Sequence, residues 1–97
     1  MEIKWWKNMK TGIDLITEER TKQIAKYNHT AYNDQCYKNG ELLKAAKAYL
    51  LAVLEGDESG VESWPWHPDS FKHEGYISSL KKAGAFIAAE LDRISVN

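Results

Sequence analysis

The sequence predicts an all-α fold: one compact domain, residues 1–97, of three main helices and a long Trp-Pro-Trp loop. Three observations carry the prediction. Apolar residues recur at three- and four-residue steps in three separate segments. Asn39-Gly40 and Gly56 punctuate those segments. Between the second and third, Gly56, Gly60, Pro65 and Pro68 exclude a helix and leave an ordered loop. At 43% hydrophobic and 28% charged residues, the chain is too apolar for intrinsic disorder.

Taken in order, residues 1–12 form a basic, aromatic lead ending at Thr11-Gly12, in which Ile3, Trp5 and Trp6 fit either a brief strand or a strap over the core. Residues 13–95 are the helical core. Ile13, Ile16, Arg20, Ile24 and Tyr27 give the first helix its expected inner face, with Asp14, Glu18 and Glu19 near its start. Asn28-His29-Thr30 ends it, and Thr30 is placed to cap a short turn through residue 37. Asn39 is expected to cap a helix over 41–55, whose face is Leu42, Ala45, Ala46, Tyr49, Leu50 and Val53. Its alanines admit a close partner helix, and Gly56 stops it. The last helix runs from about 76 to 94, burying Leu80, Ala83, Ile87, Ala88 and Leu91, with Gly84 at a close crossing.

Composition narrows the function. Thirteen basic against fourteen acidic residues argue against a DNA- or RNA-binding coat. The charge is uneven, with seven bases and five acids in residues 1–38 but two and five in 39–63, which leaves room for a small basic pocket. A single cysteine, Cys36, excludes an internal disulfide and fits a reducing cytosol. No apolar run reaches the roughly 20 residues a membrane span needs, and the start lacks a signal-peptide stretch, so neither a membrane nor secretion is expected. So short a chain buries only about 60–65% of its unfolded surface, which makes a homo-oligomer, a dimer or larger, a natural supplement. Small faces at Ala45–Ala46 and Ala83–Gly84 are its candidate seams.

The most unusual stretch is Trp64-Pro65-Trp66-His67-Pro68. Prolines restrict the backbone on both sides, so the indoles are held in fixed directions. Such rings either plug a small core or clamp a flat ligand; one buried and one lining a pocket is the intermediate case. Arg20, Lys22, Lys72, Lys81 and Lys82 are candidate phosphate-gripping cations if the helices converge on this loop, and otherwise a solvated face. Gln23, near Arg20, is suited to a base or ribose edge. Glu18-Glu19, Glu41, Glu90 and Asp92 invite comparison with all-α magnesium pyrophosphohydrolases, but their spacing is not the doubled one-turn pattern, since Glu90 and Asp92 cannot share a helix face. His29, His67, His73 and Cys36 lack zinc spacing. Neither a catalytic group, a metal site nor a cofactor is expected.

The order of motifs is itself informative. Leu15-Ile16, Glu19-Arg20-x-Lys22-Gln23-Ile24, Thr30 with Asn33-Asp34, Gly40-Glu41-Leu42 with Ala45-Ala46 and Tyr49, Trp64-Pro65-Trp66, Lys72, and Lys82-Ala83-Gly84-Ala85-x-Ile87-x-Ala89-Glu90-x-Asp92-Arg93 follow one another. Over residues 13–95 this resembles a widespread family of small phage and prophage proteins. Three positions depart from its pattern: Tyr27-Asn28-His29 in place of a Glu-Gly-Trp-like triplet, Asn33-Asp34-Gln35 in place of His-Asp-Asp, and Lys72-His73 in place of Lys-Pro. The resemblance implies a sponge in the host bacterial cytosol, which counters anti-phage defence by binding a cyclic nucleotide or cyclic ADP-ribose-type immune signal without cleaving it. On that reading Trp64 and Trp66 wall the bases, Arg20, Lys72 and Lys82 hold phosphates, and Gln23 and Asp34 meet base edges or ribose hydroxyls. A nucleotide pyrophosphohydrolase and a protein–protein module anchored by the tryptophan loop are the alternatives.

Overall fold

The computed structural model describes residues 10–56 and 58–95. The fold is all-α, with three helices among the described residues: α1 (Gly12–Tyr27), α2 (Glu41–Glu55) and α3 (Tyr76–Ser95). Expectations for residues 1–9, including the Ile3–Trp6 strand or strap, lie outside the described residues. No helix among those described is long and apolar enough to cross a membrane.

Helix α1 starts one residue earlier than expected, because Thr11 and Asp14 form a reciprocal capping box at 3.1 and 2.9 Å. It ends at Asn28, whose φ of 59° turns the chain back on itself. Thr30 accepts from the Asn33 N–H at 3.1 Å and supports the short 3₁₀ turn Asn33–Cys36. Asn39, in contrast, does not cap α2. Gly40 takes that position at φ 82°, and the Glu41 side chain reaches back to the Asn39 N–H at 2.8 Å.

Helix α3 lies against both α1 and α2. Ala83, Phe86 and Ala89 of α3 share one core cluster with Leu42, Ala45, Ala46 and Tyr49 of α2. The alanine faces expected to meet a second copy are therefore covered within the chain. Gly84 faces α1 so closely that a Cβ there would stand 2.6 Å from Ile16 Cδ1.

Two buried faces differ from expectation. On α3 the enclosed residues are Ser79, Ala83, Ala85, Phe86 and Ala89, whereas Leu80, Ile87 and Leu91 are exposed. Apart from Phe86, which turns toward the loop aromatics, small residues take the interior because they let two helix backbones approach, which the aliphatic stripe would hold apart. On α1 the buried residues are polar, Glu19, Arg20 and Gln23, while Ile13 is 78% exposed and Ile24 also faces out. Their polar groups need partners or a cleft, and the site supplies both.

Candidate functional site

The loop from Gly56 to Gly75 is drawn onto α2 at Gly60, where an added Cβ would stand 2.0 Å from the Ala48 carbonyl oxygen. Only glycine allows that approach. Beyond it run two short 3₁₀ turns, Val61–Ser63 and Pro68–Ser70, the second capped by His67, whose ring accepts from the Asp69 N–H at 3.1 Å. This turn fixes Trp64: its indole N–H donates to Ser70 Oγ at 2.9 Å and to the His67 carbonyl at 3.1 Å. Trp64 and Trp66 then meet edge to face, centroids 5.1 Å apart at 82°. Neither ring is buried outright. Both pack on the core and both line a cleft.

That cleft has a volume of about 400 Å³, within the usual range of small-molecule sites, roughly 300–1,000 Å³. Trp64, Trp66, Phe86, Tyr49, Tyr37 and His29 wall it. Their rings contact one another, including Tyr37–Trp66 at 5.3 Å, Trp66–Phe86 at 5.8 Å and Tyr49–Trp64 at 5.5 Å. Edge-to-face and offset pairs of this kind contribute about 0.5–1.5 kcal/mol each beyond burial. The walls are thus preorganised.

The polar groups come from all three helices and the loop. Lys82 of α3 donates to the Lys72 carbonyl at 2.7 Å and stands 5.6 Å above the Tyr49 ring. Burial pushes its ammonium below the ordinary lysine range. The Tyr49 hydroxyl accepts from the Lys72 N–H at 3.1 Å. Burial raises its pKa to about 12, so it remains a donor at neutral pH, and its hydrogen has no acceptor among the described residues. Glu19, Gln23 and Tyr27, at four-residue steps, bring one edge of α1 to the cleft.

Among the residues expected from sequence, Gln23, Trp64, Trp66, Lys72 and Lys82 line the cleft, and Arg20 and Asp34 do not. Arg20 is held internally. Its Nε and Nη2 donate to Asp92 Oδ2 at 3.0 and 2.9 Å, and its Nη1 donates to the His29 carbonyl at 2.8 Å and Gln23 Oε1 at 3.3 Å. Four of its five N–H donors are thus engaged within α1, with α3 and with the segment after α1, and it does not reach the cleft. Asp34 is 1% exposed; its Oδ1 lies 2.8 Å from His29 Nδ1, and its Oδ2 is buried without a partner among the described residues. Its contact with the cleft is therefore indirect, through the His29 ring it orients.

Glu90 and Asp92 are likewise engaged, Glu90 with Arg93 at 2.6 Å and Asp92 with Arg20. Among the described residues no three His, Cys, Asp or Glu side chains are grouped to hold a metal ion. Sequence reasoning missed Glu19 as a cleft residue, together with His29, Tyr37, Tyr49 and Phe86. The four-residue spacing of Glu19, Gln23 and Tyr27 was the available signal; the aromatic walls converge only through tertiary packing. Comparison with family models, curated proteins and solved structures finds no match to this chain.

Proposed function

We propose that this protein binds a nucleotide signal in the aromatic cleft and holds it without cleaving it. The observation that carries the reading is one preorganised cleft combining two fixed indoles with two lysines, Lys72 and Lys82. Indole faces suit a base, and stacking contributes about 1–3 kcal/mol per base. The lysines suit a phosphate, and the partly desolvated Lys82 needs little reorganisation to meet one. The sequence resemblance adds a setting, a phage protein withdrawing a cyclic nucleotide or cyclic ADP-ribose-type immune signal in the host bacterial cytosol.

Homo-oligomerisation remains part of the proposal, with its seam moved. The exposed residues Ile77, Leu80, Ile87, Leu91 and Ile94 of α3, which flank the covered Gly84 crossing, offer apolar area to a second copy.

A second reading has one observation in its favour: an imidazole oriented by Asp34 is a general base in waiting. One experiment separates the two. Purified protein is mixed with cyclic dinucleotides, cyclic trinucleotides and cyclic ADP-ribose isomers, melted, and the released ligand weighed by mass spectrometry. Stabilisation with intact ligand recovered is expected. A cleaved product assigns an enzyme with His29 as base, and no stabilisation by any nucleotide overturns the proposal in favour of a protein partner.

A further inference from the structure

Resting on the nucleotide-binding reading, we propose that Glu19 and Gln23 together read the Watson–Crick edge of guanine, so that the signal carries that base. Glu19 is the anomaly of the cleft. Its side chain is only 5% exposed, yet no described residue donates a hydrogen bond to its carboxylate; the nearest cation, Lys22 Nζ, stands at 3.7 Å. So enclosed a carboxylate, with its small remaining exposure and no donor among the described residues, borders the cleft, where a ligand would supply one.

Gln23 lies one turn further along the same edge of α1. Its orientation is dictated by Arg20, which can only donate. The carboxamide must turn Oε1 toward Arg20 Nη1, at 3.3 Å, which leaves the Nε2 donors for the cleft. Side by side, the helix presents two acceptor oxygens and then a donor.

Guanine is the natural base with the complementary edge. Its N1–H and N2–H₂ donate as a pair to a carboxylate, and its O6 accepts from an amide. Adenine would place its N1 lone pair against Glu19, and uracil would flank one N–H with two carbonyls. A cationic ligand fits less well, because Lys72 and Lys82 line the same cleft. The Tyr49 hydroxyl hydrogen remains as a further donor toward the ring or its sugar.

The test uses the full chain and probes that differ in their bases alone: cyclic di-GMP, cyclic di-IMP and cyclic di-AMP, with GMP, IMP and AMP alongside, titrated calorimetrically. Guanine probes are expected to bind about tenfold or more tighter than adenine ones, with hypoxanthine between because it lacks the N2 amine. In Glu19→Gln the preference should shrink to about threefold or less, since the carboxamide no longer offers two acceptors. Equal affinity for guanine and adenine probes overturns the edge reading and leaves nucleotide binding standing. Failure of every probe to bind overturns both. Guanine binding abolished by a chelator assigns Glu19 to a metal ion and also overturns it. If Glu19→Gln fails to fold, the order of the wild-type affinities decides the matter.

Discussion

The two sides of α3 present opposite surfaces. Toward the loop, Phe86 and Lys82 join an aromatic cleft with several fixed polar groups. Around the other side, Ile87, Leu91 and Ile94 form an aliphatic stripe without a single charge. On the loop-facing surface the rings pack on one another, and Trp64, Tyr49, Gln23 and Lys82 are each held by a hydrogen bond. The outer one carries bulk apolar area and no directional group. The proposed ligand recognition draws on the first surface, and the proposed self-association on the second.

Substitutions at the supports of the cleft should give the largest effects. Arg20→Ala strips the His29 carbonyl, Gln23 and Asp92 of their donor at once; it should cost about 2–3 kcal/mol in chemical unfolding, discounted for the half-exposed Asp92. Arg20→Lys keeps the charge but not the fork, and should recover only part of that stability. An intact melting temperature in Arg20→Ala would make Arg20 a surface cation after all.

Next comes Gly60→Ala, which drives a methyl into the Ala48 carbonyl and pushes the loop off α2. A loss of about 1–3 kcal/mol is expected, read as a drop of roughly 4–8 °C per kcal/mol.

High pH probes the same region without mutation. The Tyr49 pKa is raised to about 12 by burial, against the opposing effect of the Lys72 N–H. The unfolded chain ionises first, so stability is unaffected below about pH 10. It then falls from there to about pH 12, by on the order of 2–3 kcal/mol in total. Tyr49→Phe should flatten that part of the profile.

Trp66→Ala should weaken ligand binding about 5- to 100-fold while leaving the fold intact by circular dichroism. The smallest effect on the isolated chain is expected at the stripe. Leu91→Asp, 56% exposed, should change unfolding free energy by about 0.5 kcal/mol or less yet shift light-scattering mass toward the monomer. If mass is unchanged, the stripe is no seam and the contrast between the surfaces loses half its meaning.

What the sequence made legible follows the same division. Helix α2 could be read closely, since Leu42, Ala45, Ala46 and Tyr49 do face inward and Gly56 does end it, although Leu50, expected inside, is 38% exposed. The α3 face was misread because hydrophobicity ranks leucine above alanine, whereas a close crossing ranks them by size. On α1 the period placed Arg20 inside and Ile16 against Gly84, but Ile13 and Ile24 face out, because burial there serves hydrogen bonds and a cleft, to which an apolar period is blind. In the cleft, Trp64, Trp66, Gln23, Lys72 and Lys82 were picked out by side-chain chemistry. Tyr49 and Phe86 were hidden among ordinary helix positions. Arg20 and Asp34 look like ligand contacts until their donors and acceptors are counted inside the fold.

The edge-to-face meeting of Trp64 and Trp66, at 5.1 Å and 82°, has an optical consequence. Two indoles so near and so firmly held share their electronic excitation, and the handedness of their arrangement imprints a signed band on the ultraviolet circular dichroism spectrum. A ring that slides against either indole alters that band and quenches its emission, with no label attached. A ring bound in the cleft would thus report itself optically, over the background of Trp5 and Trp6, which absorb at the same wavelengths.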